Sequence, residues 1–200
     1  MSDAVTFRRM TEADMDAVLK IEYAAFSHPW TRGIFLDGLK SYEIWLMFEG
    51  AQQVGHGVIQ VIIDEAHLLN ITVKPENQGR GLGLLLLDHL MKRAYQLNAR
   101  ECFLELRDSN RPAYRLYENY GFNEIGRRRD YYPASDGGRE DAVVMACTLL
   151  DLVSGSALVA VQRVDECQFF FVQAVATANV IFIDDRNIQV GREVFAWLVR

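Results

Sequence analysis

Residues 78–83 place three glycines at alternate positions directly before a long helix with one apolar face. Backbone N–H groups at a helix start lack partners within the helix, and the helix dipole adds positive potential, so such a loop can bind an anion. Glycines let the backbone approach the anion closely. No Lys-Ser or Lys-Thr pair follows Gly83, and GxGxG does not match GxGxxG. The pattern Q-x-x-G-x-G therefore predicts an anion-binding loop, with a chance glycine-rich turn as the alternative.

A carboxylate and a phenol in apolar surroundings could move protons. Glu105 interrupts the apolar run of residues 102–106 and shares a strand face with Phe103. A charged side chain there is either paired or located at a cleft, so Glu105 is a candidate general base. A structural ion pair or a strand edge is the alternative. Tyr117 lies in the helix that follows and is a candidate acid, with core packing as the alternative.

Hydrophobic periodicity and capping residues predict the elements that position these groups. Strands are expected at residues 5–9, 43–48, 54–63, 67–73, 102–106, 125–131 and 142–149. Helices are expected after Thr11, after Thr31, after the glycine-rich loop and after Asn110, with Gly121 closing the last one. The predicted order is β-α-α-β-β-β-α-β-α-β-β.

Composition limits the class of protein. Half of the 200 residues are hydrophobic and four are proline, which predicts a folded domain with a substantial core. The net charge of −6 argues against a nucleic-acid binder but allows a basic protein partner. Three cysteines, Cys102, Cys147 and Cys167, form no metal knuckle and favour reduced thiols in a cytoplasmic protein. The N-terminus lacks an apolar signal segment, and the histidines show no metal-ligand spacing, so no metal is expected.

The last 50 residues differ from the rest of the chain. They hold 6 of the 27 acidic and 4 of the 21 basic residues, and they lack proline and lysine. The uncharged run of residues 169–183 is shorter than the roughly 20 apolar residues of a membrane helix, so no membrane attachment is expected. We predict a functional domain in residues 1–150 and an apolar extension in residues 151–200. That extension is either extra β structure or a segment outside the functional domain.

The glycine-rich loop and several further stretches resemble the GNAT family of acetyl-CoA-dependent N-acetyltransferases over residues 5–149. The stretches that carry the resemblance are residues 68–73, 78–83, 104–110, 116–123, 128–133 and 138–142. They are most similar to members that acetylate the N-terminal alanine of a small-subunit ribosomal protein. The resemblance implies an α/β fold with a mixed, mostly antiparallel sheet, splayed at its centre and covered by helices on both faces. It also implies acetyl-CoA as cosubstrate and a basic ribosomal protein N-terminus as acceptor.

The resemblance further implies roles for individual residues. Glu105 becomes the general base, and Tyr117 becomes the group that hydrogen-bonds and protonates the leaving thiolate. The implied cofactor-binding residues are Ile71, Thr72, Val73, Gln78, Gly79, Arg80, Gly81, Leu82, Gly83 and Asn110. Residues 28–31 and 131–141 are expected to wall the acceptor site, with Glu140 and Asp141 as candidate partners for a basic residue.

The chemistry of the acceptor favours an α-amine. An α-amine with a pKa near 8 is about one-tenth neutral at pH 7, whereas a lysine is neutral only about once in 2,500. The difference corresponds to about 3.3 kcal/mol, so a carboxylate acting through water could serve an α-amine. A transferase for lysines or small amines, and a non-catalytic CoA-binding module, stay open as alternatives.

Overall fold

The predicted order of strands and helices is found in the computed structural model, which describes residues 4–134 and 137–149 and the backbone of residues 180–184 and 187–191. The strands of the first part are β1 (Val5–Arg9), β2 (Glu43–Glu49), β3 (Gln52–Ile62), β4 (Glu65–Val73), β5 (Glu101–Arg107), β6 (Asn123–Pro133) and β7 (Arg139–Thr148). Its helices are α1 (Met15–Ala25), α2 (Arg32–Ser41), α3 (Leu82–Gln96) and α4 (Arg111–Tyr120).

The strands form one mixed sheet in the order β1-β2-β3-β4-β5-β7-β6. All neighbours are antiparallel except β4 and β5, which run parallel. The β4–β5 pairing stops at Leu68 and Leu104. Directly after it β4 bulges, because Leu68 faces Ile59 and Asn70 faces Val58, which leaves Leu69 as the extra residue. Beyond this bulge β4 follows β3 while β5 follows β7, so the predicted central splay is confirmed.

Helices cover both faces of the sheet. The core on one face contains the apolar side of α3 together with Leu104, Leu106 and Tyr117. The core on the other face contains Met15 and Val18 of α1 with apolar residues of α2, β2 and β3. Because side chains alternate along a strand, Phe103, Glu105 and Arg107 of β5 point to the α1 face.

Side-chain caps begin α2 and α4 where they were predicted. Thr31 accepts a hydrogen bond from the N–H of Ile34, and Asn110 accepts one from Ala113. Gly121 closes α4 at a φ of 114°. The first helix differs from the prediction, since a 3-10 turn at Glu12–Asp14 separates Thr11 from α1.

Residues 165–200 form a separate unit. Its described backbone is an antiparallel pair of strands, β8 (Val180–Asp184) and β9 (Asn187–Gly191). The rest of the predicted extension, including Cys167, lies outside the described residues. No described helix is long and apolar enough to cross a membrane. The division into a functional domain of residues 1–150 and an extension stays a prediction.

Candidate active site

The glycine-rich loop connects the splayed end of β4 to α3. Gly79 and Gly81 have φ values of 74° and 79°, in the left-handed region that favours glycine, and a Cβ on either would meet nothing within 4 Å. Within the described residues, the backbone N–H groups of residues 79–83 donate to no backbone oxygen. Gln78 ties the loop to β4 by donating to the carbonyl of Val73 at 3.0 Å. The loop thus presents open donors at a helix start, which suits an anion.

The side chain of Arg80 is engaged away from the loop. Its guanidinium donates to both carboxylate oxygens of Glu49, at 2.6 and 2.9 Å. Arg80 is therefore ion-paired within the chain, although its side chain is 46% exposed. Phosphate binding by the loop therefore depends on its backbone N–H groups.

The strand residues expected to contact acetyl-CoA divide between the two faces of β4. Ile71 and Val73 pack against the core beneath α3. Thr72 is buried on the α1 face, where its hydroxyl donates to Glu22. Among the described strands, β4 has no neighbour on its β5 side beyond Leu68. The unpaired backbone groups along that edge of β4 are therefore available to contact a ligand.

Glu105 lies at the mouth of the splay, one residue beyond the last β4–β5 pair. Its carboxylate accepts from Arg128 Nε at 2.8 Å, and the two side chains are 23% and 20% exposed. Burial raises the pKa of Glu105, while the Arg128 charge and a hydrogen bond from Tyr131 limit the rise. Both interpretations of Glu105 are therefore compatible with its position: it is ion-paired, and it lies at the opening.

Tyr117 belongs to the core on the opposite face of the sheet. It is 5% exposed, and its ring packs edge-on against Phe122 with centroids 5.7 Å apart. Burial raises its pKa, so its hydroxyl stays protonated and is a poor proton source. Within the described residues this hydroxyl forms no hydrogen bond. Asn110, at the start of the same helix, serves as its N-cap through an oxygen that accepts from Ala113 at 3.2 Å.

The expected acceptor carboxylates are held by partners within the chain. Glu140 accepts from Arg107 at 2.7 Å and from the N–H of Ser109 at 3.2 Å. Asp141 accepts from the N–H of Asp130 at 3.0 Å. Glu140 therefore ties β7 to β5 and the loop after it, and Asp141 ties β7 to β6, before any acceptor is bound.

A buried polar network around Glu22 escaped the sequence interpretation. The carboxylate is 1% exposed and accepts four hydrogen bonds within the described residues, at 2.9–3.1 Å. The donors are His56, Asn70, Thr72 and the N–H of Trp30. Burial alone would raise the pKa of Glu22, but His56 and the other donors lower it below its ordinary value. The signal was a charge on the apolar stripe of α1, four residues after Val18.

The extent of β6 and a bulge within it were also missed. The strand reaches Pro133 rather than residue 131, and β7 begins at Arg139 rather than residue 142. Arg128 faces Ala142 and Tyr132 faces Glu140, so three residues of β6 oppose Asp141 alone. Asp130 in this bulge has a φ of 50°.

Neither of the two described cysteines is suited to attack a thioester. Cys102 and Cys147 face each other across β5 and β7, and both are buried. Burial raises the pKa of both thiols, that of Cys147 to about 12. Among the described residues, no group of three or more His, Cys, Asp or Glu side chains could hold a metal ion.

The fold and the loop define a class of enzyme. The model of the acetyltransferase (GNAT) family matches residues 15–122. The chain belongs to this family, whose members transfer acetyl groups from acetyl-CoA, and it is an acyltransferase. The predicted resemblance and fold are confirmed.

Several individual proteins and solved structures are similar to this chain. The curated [ribosomal protein bS18]-alanine N-acetyltransferase of Escherichia coli K12 is 38% identical over 142 residues, which are 70% of this chain and 95% of that protein. Its Haemophilus influenzae counterpart is 39% identical over 137 residues, 68% and 93% of the two chains. The E. coli crystal structure superposes with a TM-score of 0.69 at 37% identity, over 73% of this chain and 94% of that one. A GNAT acetyltransferase from Elizabethkingia anophelis with acetyl-CoA bound shares the fold, with a TM-score of 0.60 at 19% identity over 73% and 99% of the chains.

Proposed function

We propose that this enzyme acetylates the N-terminal alanine of ribosomal protein bS18 in the cytoplasm, with acetyl-CoA as donor. The observation that carries the proposal is the opening between β4 and β5, which has Glu105 beside it on the α1 face. Tyr117 lies in the core on the other face of the same sheet. The identity of the acceptor is inferred from the bS18-alanine N-acetyltransferases that the chain resembles.

The donor fits the loop and the splayed strand. The N–H groups of residues 79–83 would hold the pyrophosphate, and the unpaired edge of β4 would hold the pantetheine and acetyl group. Asn110 would contact CoA from the start of α4. The donor's sulfur would then lie on the α4 side, where Tyr117 has an uncommitted hydroxyl.

Transfer would be direct. The amine nitrogen attacks the acetyl carbon, the C–S bond breaks, and the proton released by nitrogen passes to Glu105, directly or through water. Tyr117 donates a hydrogen bond to sulfur that strengthens as negative charge develops there. An α-amine suits this arrangement because it is partly neutral near pH 7 and asks only for a carboxylate base.

Two peptides test the proposal. One begins with a free alanine and has its lysines blocked, and the other has a blocked N-terminus and free lysines. We expect turnover on the first. Glu105→Gln should lower the kcat for the first peptide by about 10²–10⁴-fold, and Tyr117→Phe should lower it by a smaller factor. Neither substitution should change the affinity for acetyl-CoA.

Glu101→Gln is the matched control, because this exposed glutamate lies at the other end of β5. It should leave kcat unchanged. Preference for the lysine peptide would indicate a side-chain acetyltransferase. Unaltered kinetics in both site variants would indicate that neither residue takes part in the reaction.

A further inference from the structure

The candidate base and its arginine together carry no net charge. Glu105 and Arg128 meet at 2.8 Å beside the splay, and both remain partly exposed. The titratable or charged groups around this pair in the described structure are Arg107 paired with Glu140, Tyr131, Tyr132, His67 stacked on Phe103, and the buried Glu22 with His56. Two further carboxylates on this face, Glu65 and Glu101, lie opposite each other at the far end of the β4–β5 pairing.

The β6 bulge holds Arg128 in this position. The register shift begins directly after Arg128, and Asp130 within it takes a left-handed φ of 50°. Asp141 accepts from the N–H of Asp130, and Arg139 donates to the carbonyl of Tyr131 at 2.6 Å. The Tyr131 ring consequently lies 5.5 Å from the Arg128 guanidinium. Strained bulges beside a cleft commonly aim a side chain.

Arg127, which precedes Arg128, does not contact Glu105 in the described structure. Arg127 pairs with Glu124 at 2.7 Å and with Asp108 at 3.3 Å. It belongs to the opposite side of the strand and provides a matched control of the same charge, one residue away.

We propose that Arg128 is a positioning residue that neutralises the acceptor site, so that the acceptor N-terminus binds as the free amine that can attack. This inference rests on the proposed function of Glu105 as base. An isolated carboxylate favours the ammonium form of a nearby amine, which has no lone pair for attack. A guanidinium fixed on the same carboxylate cancels that attraction. The ammonium proton then goes to solvent on binding, and the proton released as the N–C bond forms goes to Glu105.

The test is the pH dependence of kcat and KM for the alanine peptide in wild type, Arg128→Gln, Arg128→Lys and Arg127→Gln. In Arg128→Gln we expect kcat at pH 7 to fall about tenfold, with its acidic limb moved about one pH unit upward and no rise in KM. The Arg128→Lys variant keeps the charge and should keep the wild-type limb. Arg127→Gln should match wild type throughout.

The inference would be overturned if the acidic limb of the kcat–pH profile were not shifted in Arg128→Gln. It would also be overturned if KM rose and kcat fell by the same factor at every pH. If Arg128→Gln fails to fold, a shifted limb in Arg128→Lys would overturn it equally. Failure of the wild-type enzyme to acetylate the alanine peptide would instead overturn the proposed function, so the two failures are distinguishable.

Discussion

At the scale of single residues, the Glu22 carboxylate links parts of the chain that bear on the candidate site. It joins α1 to His56 of β3, to the splayed half of β4 and to the backbone of Trp30. Residues 28–31 were expected to wall the acceptor site, and β4 to receive acetyl-CoA. One buried group therefore fixes both sides of the proposed cleft.

Removing this carboxylate should be costly, because its donors would be left buried without an acceptor. We expect Glu22→Ala to lower the free energy of unfolding by about 3–5 kcal/mol, measured by urea denaturation. Tyr120→Phe, which removes a bond of 3.2 Å to Asp88 between α4 and α3, should cost about 1 kcal/mol. An equal loss of unfolding free energy in the two variants would contradict the larger contribution that we assign to Glu22.

The same carboxylate predicts an acid dependence of stability. A group with a pKa lower in the folded than in the unfolded state adds stability above its unfolded pKa and loses it as pH falls. The pKa of Glu22 is lowered on folding. Wild type should therefore lose stability below about pH 4.3 more steeply than Glu22→Gln does. Parallel curves from denaturation at pH 3–7 would contradict this.

At the scale of elements, the connection from β4 to α3 determines donor binding. Gly81 is both the N-cap of α3 and a left-handed residue, so Gly81→Ala strains the loop by about 1–2 kcal/mol. We expect acetyl-CoA affinity, measured by calorimetry, to fall about tenfold or more. Gly126→Ala, at a glycine without positive φ and with nothing within 4 Å of the added Cβ, should leave it unchanged. Equal affinities would show that the loop does not hold the donor.

The β3–β4 hairpin contains an unfavourable residue. Ile63 has a φ of 58° and is 87% exposed, so its branched side chain is strained and packs little. Ile63→Gly should therefore raise the free energy of unfolding by about 1 kcal/mol. Ile125→Gly, at an exposed isoleucine within β6, should lower it. A lower melting temperature in Ile63→Gly would show that the side chain contributes more than the strain removes.

At the scale of the whole molecule, the features that sequence predicts are those with local signals. Periodicity and caps such as Thr31 and Asn110 predict the order of elements, and the glycine spacing with its family resemblance predicts the loop and the splay. The Glu22–His56 contact spans 34 residues and depends on α1 packing over β3. The Arg128–Glu105 pair depends on β7 lying between β6 and β5. Neither leaves a local pattern that identifies the partner.

The proposed division of the chain can be tested by truncation. The candidate catalytic and cofactor-binding residues lie between residues 71 and 117, and the expected acceptor walls and Arg128 lie before residue 142. The sheet that carries them ends at Thr148. A chain ending at Asp151 should therefore keep kcat/KM within about twofold and be at least as soluble, since it lacks the apolar run of residues 169–183. An inactive or unfolded truncation would show that the extension is part of the enzyme.

The central claim is that this enzyme acetylates an N-terminal alanine on a ribosomal protein. Mass spectrometry of bS18 incubated with acetyl-CoA and either wild type or Glu105→Gln tests it most directly. We predict a single acetyl group on the alanine α-amine with wild type and a nearly unmodified N-terminus with the variant. An unmodified N-terminus with wild type, or acetyl groups only on lysines, would contradict the account.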